Sequence, residues 1–252
     1  MECYELERAS LAALFAIIEA QPFPDNSLFR GQSNADWKLV PSIYRLFPPP
    51  IHGVPIKEAF DHLEWTCIAK FFDEATPYLP SFQRTHSNDK ILAQHFGAPT
   101  SLLDWSTDPL VATYFAVEAW QVEADAALFM ILPEATYRPE DVRSLGPEQV
   151  VALIPPAIDR RVPAQRSVFT YHPYGPADAP FVPIDERENV GGIVSRDGRL
   201  KRALAKIVIP AELKKPLFRT LHKLGIDRRN LFPGLDGVGD AIHRACAAGL
   251  VL

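Results

Sequence analysis

Short apolar segments that predict β-strands are scattered between longer segments of helical periodicity along the whole sequence of 252 residues. Strands dispersed among helices in this way are typical of an α+β fold. The strand candidates are residues 27–32, 37–44, 126–133, 166–173 and 204–210. Because no internal repeat and no long linker interrupts the chain, we predict a single domain over residues 1–252.

Apolar residues recur at intervals of three and four in several of the longer segments, which predicts amphipathic helices. An N-terminal helix is expected over about residues 4–20, with its apolar stripe at Leu11, Leu14, Phe15 and Ile18. A second helix is expected over residues 56–75, with its stripe at Ile56, Phe60, Leu63, Cys67 and Phe71. C-terminal helices are expected over about residues 211–252, with a stripe at Leu213, Leu217, Leu221 and Leu224.

Local signals mark two further helix boundaries. Gly97 is expected to end a short helix over residues 88–97. Asp108 is expected to cap a helix whose first residue is Pro109, because proline is well tolerated at that position. Polar helical segments are predicted from the strand end at residue 133 to about residue 154.

Composition and charge exclude several classes of protein. The net charge of −5 and the pI of about 5.8 argue against strong general attraction to nucleic acid or to anionic membranes. The three cysteines lie far apart and include no CxxC pair, which is typical of reduced thiols rather than of a disulfide framework. The acidic N-terminus does not resemble a signal peptide, and no run of about 18 apolar residues occurs, so a cytoplasmic location is expected.

An arginine stands at the end of the first predicted strand, where a buried strand would carry an apolar residue. The stretch reads FRGQ, from Phe29 to Gln32. A solvated arginine at a strand edge is the commonest alternative for Arg30. In a cleft, however, its guanidinium would offer a planar fork of donors to a phosphate or a carboxylate. Gly31 beside it would let a ligand approach the backbone closely.

Residues 93–116 hold the densest group of polar side chains, between two segments of helical periodicity. The group comprises Gln94, His95, Thr100, Ser101, Asp104, Trp105, Ser106, Thr107 and Asp108. A plain connector does not require so many hydroxyls together with a histidine and a tryptophan, so we interpret it as a candidate site. Each residue also has an ordinary structural alternative, such as a backbone-bonded histidine, a turn carboxylate or a packed indole.

A third candidate is Gln165, which precedes a predicted strand and is flanked by Arg160, Arg161 and Arg166. Two later carboxylates, Glu186 and Glu188, are interpreted first as solvated charge. The sequence has no P-loop, no GxGxxG motif and no GxSxG elbow, which argues against a Walker ATPase, a Rossmann dehydrogenase and a serine hydrolase. No HxxxH or HxH spacing supports a metal site, so no metal is predicted.

Together these stretches resemble the FRG domain family, which is named for a Phe-Arg-Gly motif. The resembling segments are FRGQ at 29–32 with Trp37 and Pro41 downstream, AQHFGAPTSLLDWS at 93–106, DPLVATYFA at 108–116, Gln165 with Val168 and Phe169, and KIVIP at 206–210. The motif core is about residues 27–210. Two positions depart from the family pattern, which usually has an arginine at Ser101 and a glycine near Ser167.

A more distant resemblance connects FRG and the hydroxyl before DPxxAxxFA with arginine-type ADP-ribosyltransferases, which split NAD. It implies a split β core surrounded by helices, with NAD as substrate and no metal. It also implies that Arg30 anchors the NAD phosphates. The other residues that it implies for NAD binding are Gly31, Gln32, Thr100, Trp105, Ser106, Thr107 and Tyr114.

The same resemblance implies catalytic roles for Arg30, Ser106, Gln165, His95 and Asp104. Ser106 would hold the ribose, and His95 and Asp104 would order the cleft. The resembling enzymes usually carry a carboxylate on the third motif. Gln165 can hydrogen-bond a sugar there but supplies no full negative charge. Asp104, Glu186 or Glu188 would then have to replace that carboxylate.

Two functions therefore remain open. The first is an NAD-utilising ADP-ribosyltransferase that modifies a protein or nucleic-acid acceptor, as a toxin or phage-defence effector with an antitoxin or defence-system partner. The second is a non-catalytic sensor that recognises a nucleotide, a nucleic acid or a phage protein. A hydrolase acting through His95 and Asp104 is a distant third. The first two require Arg30 to face a pocket shared with the loop that carries Trp105.

Overall fold

The computed structural model describes residues 1–46, 53–79, 85–139, 150–175, 180–187, 190, 192–194 and 200–250. The helices are α1 (Leu11–Glu19), α2 (Ile56–Ala75), α3 (His86–His95), α4 (Pro109–Val117), α5 (Arg161–Ala164), α6 (Ala211–Lys223), α7 (Arg228–Leu231) and α8 (Leu235–Ala247). Two 3₁₀ helices span Ser42–Arg45 and Thr76–Tyr78. In this part of the chain no helix has both the length and the apolar character needed to cross a membrane.

The strands are β1 (Glu2–Glu5), β2 (Leu28–Gln32), β3 (Leu102–Ser106), β4 (Ala126–Ile131), β5 (Ala135–Tyr137), β6 (Val151–Leu153), β7 (Ser167–Tyr171), β8 (Gly192–Val194), β9 (Leu200–Arg202) and β10 (Leu204–Ile209). Eight of them form one mixed sheet in the order β1-β10-β4-β2-β3-β7-β6-β5, and β8 pairs with β9 separately. The α+β fold class is confirmed.

The sheet has a hydrophobic core on each face. On one face α1, α4 and α6 pack on side chains that include Phe29 of β2 and Leu128 of β4. The core of the other face includes Leu28, Trp105 and Phe129. Because side chains alternate along a strand, Arg30 lies on the same face as Leu28, away from α4.

The sheet is weakly joined between β2 and β3, at its centre. The two strands pair at one position, Phe29 with Ser106, whereas β2 pairs with β4 through five consecutive residues. Beyond Phe29 a side chain replaces the backbone pairing between β2 and β3. Nη1 of Arg30 donates a hydrogen bond to the carbonyl oxygen of Asp104 at 2.7 Å. The break in backbone pairing therefore lies directly beside the motif arginine.

Gly31 is required by packing between β2 and α4. A Cβ atom at this position would lie 1.9 Å from the carbonyl oxygen of Ala112 and 2.4 Å from the amide nitrogen of Ala116. The backbone of α4 fills the space that we assigned to an approaching ligand. The glycine thus fixes the distance between the helix and the arginine-bearing strand.

Most of the predicted strands and helix signals agree with the structure. Residues 126–131 form a fully buried strand, as their continuous apolar run predicts. Asp108 caps α4, because its Oδ1 accepts from the amide of Leu110 at 2.8 Å. Gly97 follows α3 with φ of +88°, a left-handed conformation that favours glycine.

Three predictions of secondary structure and one prediction of burial were wrong. The N-terminal helix begins at Leu11, because Glu2–Glu5 form β1 in parallel pairing with β10. Ser42–Arg45 is a 3₁₀ helix rather than part of an extended segment. The predicted helical region after residue 133 contains β5 and β6, while its residues 140–149 lie outside the described chain. Leu224 of the last stripe is exposed at the C-terminal end of α6.

The buried face of α2 also differs from the predicted stripe. Its buried residues are Ala59, Phe60, Glu64, Ile68 and Phe72. Glu64 lies at the centre of this face because its carboxylate accepts from Lys90 and Ser101. Apolar periodicity assigns a glutamate to the exposed face of a helix. The predicted buried face of α2 was therefore displaced by one residue from the observed one.

Candidate functional site

Arg30 faces a cleft at the break between β2 and β3. Its Nη1 lies 3.7 Å from Oδ2 of Asp104 in addition to the hydrogen bond with the Asp104 carbonyl. The Nε atom is buried and has no hydrogen-bond partner in the described structure. Burial lowers the pKa of Arg30, and nearby Arg45 lowers it further, while Asp104 opposes both. The guanidinium therefore has one buried donor that is unsatisfied, with the Asp104 carboxylate and a second cation, Arg45, near it.

The cleft has a volume of about 520 Å³ and is open to solvent. Small-molecule sites commonly fall between about 300 and 1,000 Å³, so a ligand of dinucleotide size is compatible with it. Its walls are Phe29, Arg30, Gly31, Gln32, Ser33, Trp37, Lys38, Val40, Arg45, Asp104, Trp105, Ser106, Ala112, Phe115, Glu118, Gln165, Ser167 and Phe232. The predicted pocket that joins Arg30 to the Trp105 loop is present.

Three cations line the cleft, and they differ in how far they are neutralised. The ammonium of Lys38 lies 3.2 Å from the carboxylate of Glu186. Arg30 has Asp104 beside it. Arg45 has no ion pair with any residue in the described part of the chain. Arg45 is thus the least compensated positive charge in the cleft.

Asp104 is oriented by a chain of hydrogen bonds behind it. Its Oδ2 accepts from Nε2 of Gln94 at 2.8 Å, and Oε1 of Gln94 accepts from the hydroxyl of Thr100 at 2.6 Å. The Asp104 side chain is 51% exposed, so the carboxylate is accessible as well as oriented. Thr100 is fully buried and does not line the cleft, and it contributes through Gln94.

Ser106 and Gln165 line the cleft and also form hydrogen bonds between neighbouring elements of the fold. The Ser106 hydroxyl donates to the carbonyl oxygen of Gln165 at 2.8 Å and accepts from the amide of Asp108 at 3.0 Å. Nε2 of Gln165 donates to the carbonyl oxygen of Leu231 at 3.0 Å. These bonds hold β3, the start of α4 and α7 together around one wall of the cleft.

Three other predicted site residues do not line the cleft. His95 is largely buried, and its Nε2 lies 3.1 Å from Oδ1 of Asp159. Burial lowers the pKa of His95, and Asp159 opposes this effect. Tyr114 is fully buried among the helices that cover the sheet. Thr107 is exposed, and its amide donates to the carbonyl oxygen of Arg166.

The two tryptophans of the cleft differ sharply in exposure. Trp105 is 3% exposed, and its Nε1 donates to the Thr170 hydroxyl at 2.7 Å. Trp37 is 55% exposed. The indole accessible for stacking is therefore Trp37, which sequence analysis did not assign to the site although it lies in the same motif stretch as Arg30. Arg45 and Phe232 were also missed.

Glu118 is a second carboxylate of the cleft that carries no motif signal. It lies beside Phe115, just after the last residue of α4, and its Oε2 accepts from Nη1 of Arg228 at 2.9 Å. Burial raises the pKa of Glu118, and Arg228 and Arg244 oppose this. Glu118 is therefore engaged in an ion-pair network rather than available to a ligand.

A buried histidine behind Trp105 gives the fold a testable pH dependence. The Thr170 hydroxyl lies 2.7 Å from Nε2 of His172, and burial lowers the pKa of His172 from 6.5 to about 3. Between these values the unfolded chain binds a proton that the folded chain does not. We therefore expect the contribution of His172 to the free energy of unfolding to be complete above pH 6.5. As the pH falls from 6.5 toward 3, this contribution should decrease by up to about 1.4 kcal/mol per pH unit.

Urea unfolding at pH 7, 6, 5 and 4 measures this loss, and His172→Gln provides the comparison. The amide keeps a polar group near Thr170 but does not titrate. The variant should lose the part of the pH slope that belongs to His172, whatever its stability at pH 7. Equal slopes in the two proteins would show that His172 is not the titrating group.

The described residues contain no group of three or more His, Cys, Asp or Glu side chains placed to hold a metal ion. Cys3, Cys67 and Cys246 are all unpaired. What the cleft brings together is a set of cations, one accessible carboxylate and one exposed aromatic ring, that of Trp37. This set is suited to an anionic ligand with aromatic groups.

No curated protein and no solved structure matches the chain. A family model matches residues 25–125, a range that contains β2, β3 and α4. Arg30, Trp37, Asp104 and Ser106 all lie within this range, whereas Gln165 and Phe232 lie beyond it. The matching model is that of the FRG domain, which supports this family for residues 25–125, the part of the chain that supplies most of the cleft.

Proposed function

We propose that the cleft binds NAD and that the protein is an ADP-ribosyltransferase-like enzyme. The observation that carries this proposal is the convergence of Arg30 and Arg45 on one cleft, with a buried Nε of Arg30 that has no described partner. Two guanidinium groups with a single accessible carboxylate beside them favour a ligand with two negative charges, such as a dinucleotide diphosphate.

Cleavage of NAD would break the bond between C1′ of the nicotinamide ribose and the pyridinium nitrogen. The bonding electrons pass to that nitrogen, so neutral nicotinamide leaves and the ribose becomes oxocarbenium-like. In this proposal the carboxylate of Asp104, oriented by Gln94, stabilises the positive charge. A nucleophile of the acceptor then bonds to C1′ and loses its proton, which completes the transfer of ADP-ribose.

The other predicted residues act in this proposal by holding the cleft. Ser106 and Gln165 fix the wall between β3 and α7 through their hydrogen bonds. His95 anchors the end of α3 next to Gln94 through Asp159. Transfer to a macromolecule would inactivate it, which is the basis for extending the proposal to a toxin or phage-defence effector.

A second candidate function, nucleotide binding without turnover, is favoured by the state of the carboxylates. Asp104 is bonded to Gln94 and paired with Arg30, and Glu118 is paired with Arg228. Gln165 supplies an amide where the resembling enzymes carry a carboxylate. A sensor would need the cationic cleft but no reactive carboxylate.

Incubation of the purified chain with NAD labelled in the adenosine half separates the two functions. The enzyme should release nicotinamide, and it should transfer label to an acceptor when cell lysate is added. Arg30→Gln should weaken NAD binding by about 10- to 100-fold, because a charge-assisted hydrogen bond contributes about 1.5–3 kcal/mol. Asp104→Asn should lower turnover by about 100-fold with little change in binding.

Arg219→Gln is the matched control, since Arg219 is an exposed arginine of α6 outside the cleft. It should bind and turn over NAD like the unchanged protein. Calorimetric binding of NAD that depends on Arg30, without nicotinamide release, would establish the sensor instead. Both functions are refuted if the unchanged protein shows neither NAD binding nor nicotinamide release above the level of Arg30→Gln.

A further inference from the structure

We propose that Trp37 and Arg45 form a subsite for the adenosine diphosphate half of the nucleotide. Trp37 stacks on the purine ring, and Arg45 binds the diphosphate together with Arg30. This proposal rests on the proposed function, because it requires that the cleft bind a nucleotide. It does not require that the protein catalyse a reaction. It deepens that function by identifying which residues of the cleft bind the adenosine diphosphate half of the ligand.

Trp37 combines exposure with a fixed backbone. The indole is 55% exposed in the cleft, although the loop that carries it is held on both sides. Before it, the amide of Ala35 donates to the carbonyl oxygen of Asp125 at 2.6 Å, and the carbonyl oxygen of Ala35 accepts from Nζ of Lys206 at 2.6 Å. After it, the amide of Leu39 donates to Oδ1 of Asp185 at 2.9 Å.

A fixed loop with an exposed indole is preorganised for stacking. The loop loses little conformational freedom when a ligand binds, so more of the stacking energy appears as affinity. Purine rings stack on tryptophan faces, and removal of one such platform typically weakens binding by about 5- to 150-fold. The buried ring of Trp105 offers no comparable accessible face.

Arg45, which also lines the cleft, is held by a different set of contacts. It ends the 3₁₀ helix Ser42–Arg45, whose position is fixed from the loop before β3. The amide of Ile43 donates to the carbonyl oxygen of Thr100 at 3.2 Å, and the Ser42 hydroxyl accepts from the Thr100 amide at 3.0 Å. Tyr44 donates from its hydroxyl to the carbonyl oxygen of His172 at 2.9 Å.

The charges of the cleft favour a diphosphate over a monophosphate. Arg45 has no carboxylate partner among the described residues, and Arg30 shares only Asp104. Lys38 is already paired with Glu186, so it contributes less. A diphosphate carries more negative charge and more acceptor oxygens than a monophosphate, so it is better suited to accept from two guanidinium groups.

Titration of the intact chain with ADP, AMP and adenosine tests the subsite by tryptophan fluorescence and calorimetry. ADP should bind more tightly than AMP and should quench fluorescence. Trp37→Ala should weaken ADP binding by about 5- to 150-fold and remove the quenching. Arg45→Gln should weaken ADP binding by about 10- to 100-fold and leave adenosine binding nearly unchanged.

Trp65→Ala is the control, because Trp65 is an equally exposed tryptophan of α2 outside the cleft, at 60%. It should leave ADP binding and the quenching unchanged. The subsite is overturned if ADP does not bind, or if it binds Trp37→Ala and Arg45→Gln as tightly as it binds Trp65→Ala. ADP binding that needs both residues, without nicotinamide release, would support the subsite while the transferase fails. If nicotinamide is released but the affinity for ADP depends on neither residue, the transferase is supported and the subsite is overturned.

Discussion

Replacing Gly31 with alanine should lower the free energy of unfolding by at least about 3 kcal/mol, at the upper end of overpacking effects. The new Cβ would lie 1.9 Å from the carbonyl oxygen of Ala112 and 2.4 Å from the amide nitrogen of Ala116. Both are backbone atoms of α4, so no side-chain rotation relieves the clash. The strand must move away from the helix, and Arg30 must move with it. Since a domain is typically stable by about 5–15 kcal/mol, urea unfolding followed by circular dichroism will detect this loss.

Gly239→Ala is the matched substitution for this test. Gly239 lies within α8, and a Cβ added there would meet no atom within 4 Å. Alanine is a better helix former than glycine, so this variant should gain up to about 1 kcal/mol. Equal unfolding free energies for the two variants would show that the close approach of α4 to β2 is not what requires glycine at position 31.

The elements that sequence analysis located correctly carry strong local signals. A continuous apolar run marks β4, and a capping aspartate followed by proline marks the start of α4. The first strand, β1, has no such signal, because Glu2–Glu5 alternate partly buried and exposed residues over only four positions. Its parallel pairing with β10 joins Glu2 to Ala205, two residues that lie far apart in the sequence. Local periodicity cannot report a contact of that kind.

The candidate site follows the same division. Arg30 could be selected from the sequence because it stands at the end of a predicted strand, and Asp104 and Ser106 because they lie in a dense group of polar residues. That residues 102–106 form a strand, β3, was not predicted. Arg45, Glu118 and Phe232 could not be selected in this way. Each comes from a helix end or a loop, and only the packing of those elements brings it to the cleft. Trp37 lay within the motif stretch, but sequence alone did not distinguish its exposed ring from the buried ring of Trp105.

The buried face of α2 shows how a polar residue can belong to a core. Both side chains of the Glu64–Lys90 pair are 10% exposed, with Nζ of Lys90 3.0 Å from Oε2 of Glu64. The same ammonium lies 3.2 Å from the Ser101 hydroxyl, and Oε1 of Glu64 accepts from the Ser101 amide at 2.5 Å. This cluster joins α2 and α3 to the residue before β3. It therefore supports the strand that carries Asp104.

Lys90→Met should destabilise the fold by about 3–5 kcal/mol, because it leaves the Glu64 carboxylate buried without its cation. Methionine has a similar length and apolar stem, so the effect reports the lost charge more than lost packing. Urea unfolding at pH 7 gives the magnitude. As a control, Lys70→Met removes a lysine whose partner Glu74 is exposed on the same helix, and it should change stability by less than about 1 kcal/mol.

A second substitution at Ser101 tests whether the charge or the lysine itself is required. Ser101 stands where the resembled family usually has an arginine, and here the ammonium of Lys90 approaches the same position from α3. An arginine at position 101 in the Lys90→Met background would return a cation to Glu64 from the strand side. We expect Lys90→Met with Ser101→Arg to recover at least about 1.5 kcal/mol of the loss, the lower bound for a restored charged hydrogen bond. If the double variant is no more stable than Lys90→Met alone, the two positions do not exchange the cation, and Lys90 is required for its own packing over the Tyr171 ring at 4.8 Å.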